Sequence, residues 1–162
     1  MRILRSFDTL LARVETFFLI LVLIALVSLS FGQVVLRNFF NEGFLWADTL
    51  CRQLVLWVGF LGASLAVHEN RHLSIDFIPH LVSPQVRRWL KVISRLAAAI
   101  ISLFLAKAAL EFLVFEREGE ATLFAEIPTW WFQTILPYSL TIIGVRFLFT
   151  AWDAFRQTES SK

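Results

Sequence analysis

The sequence predicts an all-α integral membrane protein, four transmembrane helices with an N-terminal interfacial amphipathic helix. Of 162 residues, 57% are hydrophobic and only 17% charged, whereas soluble domains run at roughly 45–50% apolar and about 25% charged. Four apolar runs each reach the roughly 20 residues that a helix needs to cross a bilayer. Tryptophans stand at the ends of those runs, where their amphipathic rings anchor at the headgroup level. Four crossings with short connections account for residues 1–162 as a single membrane domain.

The elements follow in order. Residues 1–14 place Ile3, Leu4, Phe7, Leu10, Leu11 and Val14 at helical spacing, with Arg2, Arg5, Asp8, Thr9 and Arg13 on the other side; this pattern predicts an interfacial helix. The first span covers 15–36 and is apolar apart from small polar residues and Gln33. It is longer than the roughly 7–15 residues of a signal-peptide core, and no Ala-x-Ala site follows, so it reads as a retained helix. The second span, 46–67, is closed by the polar run His68-Glu-Asn-Arg-His72, and 73–82 is a short amphipathic stretch broken by Pro79. Ser83-Pro84 suits a helix start, because a hydroxyl caps free N–H groups and a first-turn proline gives up nothing. The third span covers 88–115, its helix beginning near Pro84. The fourth covers 130–152 and contains Pro137, which deletes one backbone hydrogen bond and is expected to kink it. Trp46, Trp130 and Trp131 mark one boundary; Trp89 and Trp152 mark the other.

Basic residues set the orientation. Arg2, Arg5, Arg13, Arg71, Arg87, Arg88, Lys91, Arg156 and Lys162 fall on one side, against Arg37 and Arg117 on the other. Both termini are therefore expected in the cytoplasm. The opposite side carries Glu42, Glu116, Glu118, Glu120 and Glu126. Cys51 is the single cysteine, which excludes an internal disulfide or a Cys-x-x-Cys redox pair. The basic residues form no dense run of the kind that binds nucleic acid.

Four charges stand out inside or at the edge of the spans: Asp48 and Arg52 on the second, Lys107 and Glu111 on the third. Each pair is spaced i, i+4 and shares a helix face. On antiparallel neighbours, Asp48 with Lys107 and Arg52 with Glu111 are expected to form a crossed network in the outer half of the membrane, or else a subunit contact, since an isolated charge there costs about 2.5–3.5 kcal/mol or more. His68, His72 and His80 all lie at the cytoplasmic end, with no facing axial ligand on another span, so no haem or metal site is predicted. The sequence carries no Ser/His/Asp arrangement, no Gly-rich phosphate loop and no carboxylate pair in a credible cleft, so an enzyme is not expected.

Trp46-Ala-Asp48-Thr-Leu-Cys-Arg52, then Trp57-Val-Gly-Phe-Leu-Gly62-Ala63, then His72-Leu-Ser-Ile-Asp76, and finally Ile127-Pro128-Thr-Trp130 with Leu136-Pro137, together resemble the DctQ-type small permease of tripartite ATP-independent periplasmic (TRAP) transporters. The resemblance covers nearly the whole chain. It departs at Thr49, where the family often has a second acidic residue. The resemblance implies a scaffold-type subunit in the bacterial inner membrane, partnered by a large permease that moves substrate and coupling sodium ions and by a periplasmic substrate-binding protein. It implies sodium-driven symport of an organic acid, with no substrate-binding residue and no cofactor in this chain. Small residues on the second span, Gly59, Gly62, Ala63 and Ala66, permit close helix packing. Two other readings fit four spans less well. An independent small carrier needs a central carboxylate in its first helix, whereas Glu15 lies at the cytoplasmic edge. A redox-enzyme anchor needs histidines on facing helices.

Overall fold

The computed structural model describes residues 2–40, 43–69, 84–120, 122–123 and 126–159. It contains four long helices and one short one: α1 Arg2–Phe40, α2 Leu45–Glu69, α3 Pro84–Glu118, α4 Thr129–Gln133 and α5 Ile135–Glu159. Four stretches are long and apolar enough to cross a membrane, namely Ser6–Phe40, Trp46–Glu69, Val92–Glu118 and Thr129–Asp153. No strand occurs among the described residues; the extended pairing is an isolated bridge between Thr122 and Pro128.

The bundle has a definite neighbour order. α1 packs along α2, α2 also along α5, and α3 along α5 and α4. Hence α5 separates α2 from α3. The α3–α5 seam is built from small residues: Ala99, Ser102, Ala106 and Ala109 are buried on α3, at the three- and four-residue steps that align one helix face. Gly144 of α5 meets Leu103 so closely that a Cβ there would lie 2.9 Å from Leu103 Cγ and Cδ2. Such close approach of backbones is what small residues allow in a membrane, where lipid tails compete equally for apolar surface and dispersion contact must hold the helices. Toward one end of the seam, Arg95 donates to the Thr150 carbonyl at 2.9 Å.

Two expected features take a different form. Residues 2–14 are the first turns of α1, continuous with the span, instead of a separate interfacial helix. Of their polar residues Asp8 turns into the bundle, while Thr9 and Arg13 are exposed. The fourth span carries a local irregularity at Thr134, between the end of α4 at Gln133 and the start of α5 at Ile135, with the Thr134 backbone still in the right-handed helical region (φ −56°, ψ −22°). Pro137 explains the position, because it has no N–H for the Gln133 carbonyl and its ring crowds that oxygen. The indole of Trp57 on α2 donates to the neighbouring Phe132 carbonyl at 2.9 Å, tying α2 to the irregular turn.

The α1–α2 turn has its own clasp. Gln33 Nε2 donates to the Phe44 carbonyl at 2.6 Å, and the Phe44 N–H donates to Gln33 Oε1 at 3.3 Å. The side-chain amide thus substitutes for a backbone partner just ahead of α2.

Candidate functional site

The principal polar constellation lies between α1, α2 and α5. Asp8, Ala12 and Glu15 occupy successive turns on one face of α1. Ser64 and His68 stand one turn apart on α2, and Arg146 comes from the middle of α5. Arg146 Nε donates to Asp8 Oδ1 at 3.0 Å, and another guanidinium nitrogen donates to Glu15 Oε2 at 2.8 Å. The remaining nitrogen donates to the Ser64 hydroxyl at 2.6 Å and to the Ser64 carbonyl. The Ser64 hydroxyl in turn donates to Glu15 Oε1 at 3.1 Å. His68 Nδ1 meets the second Asp8 oxygen at 2.9 Å.

Burial makes this cluster costly to break. The side chains of Arg146 and Glu15 are 2% and 1% exposed, and Ser64 is fully buried. An arginine in an apolar environment has five N–H donors that all need acceptors; here the acceptors come from two other helices. Charged hydrogen bonds of this kind fix geometry strongly, so the cluster joins the three helices in one register. Chemically it is a closed network, and among the described residues no three His, Cys, Asp or Glu side chains are grouped to hold a metal ion.

The four charges singled out from the sequence lie elsewhere. Lys107 and Glu111 pair with each other at 3.8 Å along α3, 76% and 71% exposed. Arg52 donates to Thr49 Oγ1 at 3.3 Å, and Asp48 is exposed. The crossed pairs Asp48–Lys107 and Arg52–Glu111 do not form, because α5 stands between the two helices expected to carry them. Of the motif positions, Trp57 ties α2 to the irregular turn, Pro128 precedes the first turn of α4, and Pro137 sits buried just after that irregularity. Trp46 is partly exposed and packs on Phe44 at 5.7 Å. Gly62 has nothing within 4 Å of where a Cβ would stand. His72 and Asp76 lie outside the described residues.

Sequence reasoning missed the central cluster. Read from the sequence, Glu15 falls at the edge of the membrane and Arg146 has no evident partner. The available signal was Arg146 itself, a lone cation inside the apolar run Leu136–Phe149, which requires carboxylates from other helices at the same level.

Residues 26–157 match the family of tripartite ATP-independent periplasmic transporters, DctQ component. This chain belongs to that family of small TRAP permease subunits. Among its relatives, the C4-dicarboxylate TRAP transporter small permease protein DctQ of Vibrio cholerae is 24% identical over 86% of this chain and 70% of its own length. The ectoine TRAP transporter small permease protein TeaB of Halomonas elongata is 23% identical over 92% of this chain and 78% of its own. A shorter match is to the sialic acid TRAP transporter permease protein SiaT of Haemophilus influenzae, 32% identical over 66 residues, or 41% of this chain. The matches to three Haemophilus influenzae relatives span 11%, 45% and 57% of those proteins' lengths. The DctQ family assignment agrees with four membrane-spanning helices and with relatives that are transporter subunits.

Proposed function

We propose that this chain is the scaffold-type membrane subunit of a TRAP secondary transporter in the bacterial inner membrane, supporting sodium-driven uptake of an organic acid. A periplasmic binding protein delivers the solute, and the large permease subunit carries both the solute and the coupling sodium ions. The observation that carries this reading is that the bundle spends its buried ionic groups on holding its own helices together. Arg146, Asp8, Glu15, Ser64 and His68 satisfy one another. Transporter binding sites are instead lined by broken helices whose free ends face the solute. Here the irregularity at Thr134 leaves no free helix end facing a solute among the described residues and is tied to α2 by Trp57.

The relatives support the partnership and the solute class. In SiaT, the matching segment is 11% of a much longer permease chain, so polypeptide of this kind is joined covalently to further permease in that protein. The solutes in the relatives' names, sialic acid, C4-dicarboxylate and ectoine, all carry carboxylates. For the orientation, the start of α1, the end of α2 and the second half of α5 meet at one end of the bundle, where Asp8, His68 and Arg146 join. The excess of basic residues in the sequence segments before the first span, between the second and third and after the fourth, nine against two in the other two connections, supports a cytoplasmic location for both termini.

Reconstitution tests the reading. In liposomes with an inward sodium gradient, this chain alone is expected to take up no C4-dicarboxylate, sialic acid or ectoine, while the chain with its large permease and binding protein gives saturable, sodium-dependent uptake of one such solute. Saturable uptake by the chain alone overturns the scaffold role.

A further inference from the structure

Ile100, Phe104, Lys107, Glu111 and Phe115 follow one another at three- and four-residue steps along the face of α3 that looks away from α5. Two of the five are charged, and both are about three-quarters exposed. The outer membrane boundary is marked on this helix by Arg117, whose guanidinium lies 5.7 Å from the ring centre of Trp130, an interfacial aromatic. At 1.5 Å per residue, Glu111 is about 9 Å and Lys107 about 15 Å below Arg117. The hydrocarbon core is about 30 Å thick, so Lys107 lies near its centre.

A lysine so deep cannot reach the headgroups on its own side. Its partner Glu111 is at 3.8 Å, too long for a strong hydrogen bond, and both heads open outward. Lipid tails have nothing to offer either group. The outward face of α1 shows the contrast: residues 16–36 hold no charged side chain, and Phe17, Ile20, Ile24, Val27 and Phe31 are exposed there. That is a surface lipid solvates well.

From this charged stripe at mid-membrane depth we infer that the outward face of α3 is the docking surface for a transmembrane helix of a different chain. The occupant presents acceptors, a carboxylate or free carbonyls, at the depth of Lys107 and a donor at the depth of Glu111. A second copy of this chain is the wrong occupant for a two-fold contact. Copies inserted the same way and related by an axis along the membrane normal would set Lys107 against Lys107 and Glu111 against Glu111, and like charges in low dielectric repel strongly. Under the function proposed above, on which this inference rests, the occupant belongs to the large permease.

The test exchanges the two charges, Lys107→Glu with Glu111→Lys, in the full chain co-expressed with its large permease. The exchange keeps the pair within α3, and Glu preceding Lys by four residues is the better helical order. A pair that serves α3 alone tolerates it; a docking face does not, because the exchange puts each charge opposite the wrong partner group. Copurified large subunit is expected to fall at least about tenfold, equivalent to roughly 1.4 kcal/mol of binding, while the exchanged chain by itself unfolds at an unchanged temperature. Independently of that variant, a photo-crosslinking amino acid at Phe104 in the otherwise native complex is expected to link to the large subunit, and one at Val27 on α1 is not. Unchanged copurification, or a Phe104 adduct with lipid or a second copy only, overturns the inference. Should the native chain retain no large permease at all, the proposed function itself fails and this inference falls with it, a result distinct from retention that ignores α3.

Discussion

Arg146 and Lys107 are both cations on apolar spanning helices, and their surroundings are opposite. Arg146 is 2% exposed, with two carboxylates and a serine from α1 and α2 closed around it. Lys107 is 76% exposed, with one carboxylate from its own helix at 3.8 Å. The first charge is neutralised by tertiary structure and acts within the chain. The second is balanced only within α3, so its polar demand is directed outward. The comparison separates charges that assemble this bundle from those left for another molecule, although both kinds look alike as isolated charges in an apolar run.

Breaking the inner cluster gives the largest expected effect. Arg146→Met removes the cation that Asp8 and Glu15 share, and removing one partner of a buried ion pair costs about 3–5 kcal/mol. Thermal unfolding of the isolated chain in detergent is expected to show that loss, with Arg146→Lys intermediate because a point charge cannot span acceptors on two helices. Lys107→Met in the same isolated chain is expected to change stability by no more than about 0.5 kcal/mol, as surface substitutions usually do. Equal losses at the two positions would remove the distinction between them.

The second effect sharpens the contrast between an ionic seam and an apolar one. α1, α2 and α5 are joined by charge, while α3 and α5 are joined by small residues and close backbones. Gly144→Leu drives a side chain into Leu103, where even a Cβ would stand at 2.9 Å. Overpacking of this sort costs about 1–3 kcal/mol. The loss is expected to be insensitive to salt and pH, and to separate α3 from α5 first, read as new reactivity of a cysteine introduced at Ala106. No change in that reactivity would mean that the seam is looser than its geometry indicates.

Apolar run length made the four spans legible in the sequence, because bilayer thickness fixes length almost independently of packing. The irregularity ahead of Pro137 was legible for a similarly local reason, a missing donor. The order of the helices was not. Whether α3 neighbours α2 or α5 depends on which faces are smooth and which polar groups match, and Ala99, Ser102, Ala106 and Gly144 look like ordinary small residues until the partner helix is known. The i, i+4 rule found Lys107 with Glu111 because both lie on one helix. It was blind to Asp8 with Arg146, 138 residues apart. The role of Asp8 in the first turns of α1 was hidden for a related reason: a carboxylate there suits headgroups as well as it suits a buried arginine.

The smallest expected effect concerns the α1–α2 turn, where polar recognition is local and neither buried nor ionic. Gln33 offers its amide edge to the backbone of Phe44, donating to the carbonyl and accepting from the N–H, and so sets where α2 starts relative to α1. Neutral hydrogen bonds contribute about 0.5–1.5 kcal/mol each. The groups that Gln33→Ala releases lie in an exposed turn and can rehydrate, so a total of about 1 kcal/mol is expected for the two. Gln33→Glu tests the donor separately, since a carboxylate keeps the acceptor for the Phe44 N–H but loses the donor to its carbonyl. It should cost at least as much as alanine, because it also sets an ionised oxygen near that carbonyl. A melting temperature for Gln33→Glu equal to that of the native chain would mean that the clasp is incidental and that the inner ionic cluster alone sets the register of α1 on α2.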